Sequence, residues 1–276
     1  MSGLESELLV PALYKGILLL GPTGSGKTPL GQLLAHRGIW GRRCVHFDFG
    51  YWLRWIASDH SSEAPPPQPS SFLPECSQAS QTSVASETDR TRLPEQAYSL
   101  CSEYFTREER QFIQQVLLSG ALLEDKDFWL AVKILKYFLV LEGLAEPEVL
   151  RQPQSQPLKK PKDFSTEPLI VLNGLPRHVG QAEAMKSWVD VQAVVYLDCP
   201  AEVVLERIRS NIGGDRQGRT DDDLQCVQAK LATYQARTQP LIAYYQSRGV
   251  PIVRLPVTTT ITPAETWQEL QRKNPW

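Results

Sequence analysis

The glycine-rich segment Gly21-Pro-Thr-Gly-Ser-Gly-Lys27-Thr28 constrains this chain more than any other feature. It fits G-x-x-x-x-G-K-[S/T] and follows the apolar run Ile17-Leu-Leu-Leu20. Leu30, Leu33 and Leu34 come next at helical spacing, so the local order is strand, loop, helix. In that context the glycines let the backbone wrap closely, and its N–H groups point at phosphate oxygens near the positive end of the following helix. Gly21, Pro22, Thr23, Gly24, Ser25 and Gly26 form the expected cradle. Lys27 is expected to reach the β- and γ-phosphates and the Thr28 hydroxyl to ligate Mg2+, so ATP and Mg2+ are the cofactors implied. Pro29 is unusual there but tolerable in a first helical turn, where its missing N–H is not needed. The motif specifies a nucleotide and leaves the reaction open.

A chain of 276 residues suits one α/β domain with small inserted subdomains. The 29 basic and 31 acidic residues nearly cancel, which argues against an extended basic face for nucleic acid. Five scattered cysteines with no C-x-x-C pair read as free thiols in a reducing compartment. The N-terminus has no basic region of a signal peptide, and the apolar stretch 128–144 carries Lys133, Lys136 and Glu142, so no membrane span is expected. The expectation is a cytoplasmic monomer.

Further strands are expected at Cys44–Asp48, Leu169–Leu172, Ala193–Leu197 and Ile252–Leu255. Short unbroken apolar runs of this kind suit parallel strands buried on both faces. Helices are expected over 201–209, 222–248 and 263–272, the last opened by a Thr262/Glu265 capping box. The expected fold is α/β: a five-stranded parallel sheet with helices on both faces, of the P-loop NTPase type. Residues 1–60 and 168–276 would form its core. Residues 61–94 are Ser/Pro/Gln-rich and read as a disordered insert, 95–150 as a helical subdomain and 151–167 as a linker.

Beyond the phosphate loop, a colinear series of motifs resembles the adenylate kinase (nucleoside monophosphate kinase) family. Phe47-Asp-Phe-Gly50-Tyr-Trp-Leu-Arg54 is similar to that family's acceptor-binding turn, and the segment around Leu123 to its acceptor-side loop. Asn173-Gly-Leu-Pro-Arg177 with Gln181 resembles its third-strand signature, and Glu206-Arg207-Ile208 the helix after its fourth strand. Gly218-Arg219-Thr-Asp221-Asp222 resembles its lid exit. The resemblance spans residues 15–60 and about 95–256. It implies a helical acceptor-binding insertion and a short lid, about 211–221, without the longer zinc-carrying form. It further implies a small nucleotide as partner and transfer from ATP to a nucleoside monophosphate.

Carried over residue by residue, the resemblance places the acceptor near Asp48, Gly50, Arg54, Leu123, Gly174, Arg177, Gln181 and Lys230. Arg54 and Arg177 would grip its phosphate and Gln181 would read its base. Arg207 would stack on adenine, and Arg216 and Arg219 would neutralise the transferring group beside Lys27. Arginine forks suit such a site because they bind phosphate bidentately. Lys230 stands where the family has a further arginine and offers a point charge instead.

Three positions depart from the family pattern. Asn173 replaces an aspartate that orients water on Mg2+, Phe49 replaces a threonine, and Tyr51 replaces an aspartate. Asp48 also admits a second reading as general base for a small non-nucleotide hydroxyl acceptor. A third is a nucleotide-binding regulatory protein with weak turnover, suggested by Asn173 and the long insert.

Overall fold

The computed structural model describes residues 14–58, 100–120, 122–153, 167–214 and 224–276. The expected insert, most of the expected linker, and the lid residues Arg216, Arg219 and Asp221 lie outside them.

Five strands build one sheet: β1 (Tyr14–Leu20), β2 (Cys44–Asp48), β3 (Leu169–Asn173), β4 (Val189–Asp198) and β5 (Ile252–Pro256). Their order is β2-β3-β1-β4-β5, and every neighbouring pair is parallel. Alternation along each strand divides the apolar side chains between two faces. Ile17, Leu19, Val171, Val195 and Leu255 lie in one buried layer, with Leu18, Leu20, Leu172 and Val194 in the other.

The first layer is covered by α1 (Lys27–Arg37), α6 (Ala201–Ser210), α7 (Leu224–Thr233) and α9 (Pro263–Arg272), which contribute Leu30, Leu34, Val204, Val227 and Leu270. The second is covered by α2 (Phe49–Ala57), α3 (Arg107–Ser119), α4 (Phe128–Leu141), α5 (Val179–Met185) and α8 (Leu241–Gln246). The chain therefore has an α/β P-loop NTPase fold with helices on both faces. Burial on both faces is why the strands read as continuous apolar runs.

Local signals place the helix starts. α9 begins with the capping box expected from sequence: Thr262 Oγ1 accepts from the Glu265 N–H at 3.2 Å, and Glu265 accepts from the Thr262 N–H at 2.8 Å. α3 begins with the same device at Thr106 and Glu109.

The long helix expected over 222–248 differs in the structure. α7 ends at Thr233, residues Tyr234–Thr238 form a π-helical turn, and α8 starts after Pro240. Proline has no N–H to continue the ladder, so the regular α-helical hydrogen bonding is interrupted there although the backbone stays right-handed helical at Gln239 and Pro240. Among the described residues no helix is long and apolar enough to cross a membrane.

Candidate active site

β1, β2 and β3 deliver their last residues to one edge, the carboxyl end of the parallel sheet, where open α/β sheets bind ligands. β1 runs into the phosphate loop, and the β2–β3 register sets Asp48 opposite Asn173. Among the described residues a cleft of about 560 Å³ opens above this edge, within the usual range of small-molecule sites.

The loop turns through glycines in conformations that L side chains rarely adopt. Gly24 has φ 73° and Gly26 φ 93°, and a Cβ at Gly24 would sit 3.0 Å from Ile208 Cγ1. Gly26 is also the N-cap of α1, with no side-chain cap and no acidic residue in the first turn. That leaves the helix's positive end facing the cleft. Pro29 lies in the first turn of α1, where its missing N–H is tolerated. Lys27 Nζ folds back to donate to the Gly21 carbonyl at 2.8 Å and the Pro22 carbonyl at 2.6 Å. The ammonium thus stands over the cradle.

Thr28, half-buried, and Asp48 and Asn173, both buried, form one hydrogen-bonded triad. The Thr28 hydroxyl donates to Asp48 Oδ2 at 2.7 Å. Asn173 Nδ2 donates to the same Oδ2 at 2.7 Å and to Thr28 Oγ1 at 3.0 Å. Asp48 Oδ1 accepts the Tyr51 N–H at 2.9 Å, which makes Asp48 the N-cap of α2. Burial alone would raise the Asp48 carboxyl. His46, the Thr28 and Tyr51 hydrogen bonds and Arg54 outweigh it and hold the carboxyl below its ordinary value. The available oxygens, a hydroxyl and a carboxylate, suit a hard divalent cation.

A pair of arginines lines the same cleft as these three residues. Arg54 on α2 and Arg177 after β3 both line the cleft, as do Gly50, Gly174 and Lys230 on α7. An ideal Cβ at Gly50 would lie 3.5 Å from both Arg54 Nη1 and Asp48 Oδ1, which shows how closely the fork and the carboxylate converge. Arg177 keeps accessible surface inside the cleft. Crowding by protein nevertheless lowers its guanidinium below the usual value, with Asp48 opposing that shift and Arg54 adding to it.

Two expected ligand contacts are occupied by protein. Gln181 is 1% exposed; its Nε2 donates to the Leu123 carbonyl at 2.8 Å and its Oε1 accepts the Arg177 N–H at 2.7 Å. It fastens the loop at Leu123 to Arg177. His178, the N-cap of α5, accepts the Gln181 N–H at Nδ1, so Nε2 carries the proton and donates to the same Leu123 carbonyl at 3.2 Å. Arg207 lies 4% exposed beneath the phosphate loop. It donates to the carbonyls of Gly24 at 3.1 Å, Thr258 at 2.8 Å and Ile261 at 2.9 Å, tying the loop to the segment after β5.

Sequence reasoning did not single out two supports of this site. Arg237 in the π-helical turn pairs bidentately with Glu124 at 3.0 and 3.1 Å, and Thr238 Oγ1 donates to the Arg177 carbonyl at 2.8 Å. A helix broken by Pro240 was the available signal.

No family model matches the chain. It is 37% identical over 87 residues to an adenylate kinase of Synechococcus sp., covering 30% of this chain and 44% of the relative. It is 33% identical over 81 residues to adenylate kinase isoenzyme 1 of Cyprinus carpio, covering 29% and 41%. It is 33% identical over 86 residues to an adenylate kinase of Thermus thermophilus, covering 29% and 45%. In each case the match spans less than half the length of the relative. These likenesses and the parallel five-stranded sheet support one family reading: the chain is adenylate kinase-like and divergent from the relatives it matches.

Proposed function

We propose that this protein transfers a phosphoryl group from ATP, held with Mg2+, to a nucleoside monophosphate. The observation that carries the reading is the shared cleft, which is lined by the phosphate loop together with Arg54 and Arg177. Phosphoryl transfer needs positioning and charge compensation more than covalent chemistry, and this arrangement supplies both. The matched adenylate kinases support the same class.

In this reading residues 21–28 bind the ATP phosphates, with Thr28 on the cation and Lys27 moving from the loop carbonyls onto the β- and γ-phosphates. Arg54 and Arg177 grip the acceptor phosphate, and Lys230 adds a point charge. Arg216 and Arg219, outside the described residues, are assigned to the transferring group. Leu123 and Gln181 keep the acceptor side in place, while Arg207 braces the phosphate loop. The bound cation neutralises phosphate charge; the protein contributes position, orientation and exclusion of water.

A hydroxyl acceptor would need a carboxylate open to it. Both oxygens of Asp48 are engaged, one with Tyr51 and one with Thr28 and Asn173, which favours the phosphate-bearing acceptor.

The test is coupled turnover of ATP with a panel of nucleoside monophosphates. ADP should form with at least one of them, in a Mg2+-dependent manner. Tight ATP binding with no ADP formed from any of them would leave a nucleotide-binding regulator instead.

A further inference from the structure

The resemblance leaves a deficit at β3. Asn173 ends the strand where the family carries an aspartate, and its amide group is neutral. The structure places a carboxylate beside it on the neighbouring strand. The parallel register pairs Asp48 with Asn173, so the two side chains share one end of the sheet. Asn173 Nδ2 is committed as a donor to Asp48 Oδ2 at 2.7 Å and to Thr28 Oγ1 at 3.0 Å. The carboxylate oxygen beside the Thr28 hydroxyl, at 2.7 Å, therefore belongs to Asp48.

We propose that Asp48 provides the negative charge that organises a divalent cation held through Thr28, and that Asn173 is the positioning residue that aims Asp48 Oδ2. The carboxylate has moved across the β2–β3 ladder while the site keeps its charge. This inference rests on the ATP·Mg2+ part of the proposed function and is independent of the acceptor's identity.

A hydroxyl whose proton is drawn toward a carboxylate becomes a better oxygen donor, and hard cations prefer such donors. Asp48 Oδ1 is held by the Tyr51 N–H, so the carboxylate is fixed before any ligand arrives. Asp48 is 9% and Asn173 4% exposed, which limits competition from water. Lys27, Arg54 and Arg177 line the same cleft, so a neutral residue at 48 would leave the cation's neighbourhood without a carboxylate on β2 or β3.

The experiment measures binding of the β,γ-imido analogue of ATP to the full chain by calorimetry, in Mg2+ and in EDTA. Wild type should bind more tightly with Mg2+. Asp48→Asn keeps an oxygen able to cap α2. It should reduce the Mg2+ enhancement about tenfold or more, with affinity in EDTA changed less than about twofold. The double variant Asp48→Asn with Asn173→Asp, which returns the charge to β3, should recover the enhancement. Asn173→Ala, which leaves the α2 cap intact, should weaken it about threefold or more.

A full enhancement in Asp48→Asn, or none in wild type, would overturn the assignment. So would failure of the double variant to recover, provided its melting curve shows a folded protein. If Asp48→Asn does not fold, an unchanged enhancement in Asn173→Ala overturns the positioning role by itself. Loss of the enhancement in Asp48→Asn, in a protein that turns over no nucleoside monophosphate, keeps this inference and removes the acceptor assignment.

Discussion

Lys27 Nζ now holds the Gly21 and Pro22 carbonyls, contacts that any chain with this loop could make. In the proposed reaction it leaves them for phosphate. Lys27→Ala should therefore lower turnover about 100-fold or more while changing the melting temperature little, as removal of a charge aimed at the transition state does. Steady-state ADP formation beside a thermal melt checks this, and wild-type turnover in the variant would refute the site. Arg177 makes a sharper case, because its fork and not merely its charge is at stake. Arg177→Lys should raise the acceptor KM about tenfold with a smaller change in the KM for ATP, since lysine cannot bind a phosphate bidentately. Equal changes in both constants would count against an acceptor role. Asp48, Arg54 and Arg177 were legible in the sequence because strand ends and motif order mark them. The protein partners of Gln181 and Arg207 were not. Each binds backbone carbonyls, of Leu123 or of Gly24, Thr258 and Ile261, and a carbonyl leaves no trace in residue identity.

Among the elements, α9 is the one whose start was written most fully in advance. Its capping box is present, and the helix packs Leu270 against the core while the Leu270 carbonyl accepts from Trp40 Nε1 at 3.2 Å. Thr262→Ala should cost about 1 kcal/mol of stability by removing one cap donor's partner, read as a shift in the urea midpoint at unchanged slope. No shift would mean the helix is held by packing alone. The strands were equally readable where both faces are apolar. β4 was seen only from Ala193 onward, because Asp190 and Gln192 interrupt its first half; there Val189 and Val191 point inward and the polar pair outward. The segment 222–248 departs from one continuous α-helix for a different reason: its helical spacing continues through Pro240, and spacing does not report a missing N–H.

Across the molecule, burial of ionisable groups sets an upper pH limit. Burial pushes the Cys44 and Cys101 thiols up to about 12 and the Cys199 thiol up to about 11, from an ordinary value of 9.0. Tyr14, Tyr234 and Tyr245 are likewise raised, chiefly by burial, above an ordinary 10.0. In each case the unfolded chain loses its proton first, so stability is full below about pH 8 and falls as pH rises. The slope approaches about 1.4 kcal/mol per pH unit for each ionised group. Urea unfolding at pH 7.5, 9 and 10.5 should show this decline, and a constant free energy would contradict it. For the same reason, of the four described cysteines only exposed Cys226 should take up a thiol reagent quickly at neutral pH.

The aromatic packing around α2 has an optical consequence. Trp52 and Trp55 stand on the helix that carries Arg54, against Tyr137 and, for Trp52, Phe138 on α4. A ligand that pulls on Arg54 therefore acts on the same short helix as two indoles. The chain thus carries its own dye: intrinsic emission should change when an acceptor docks, so candidate acceptors can be screened without label or turnover.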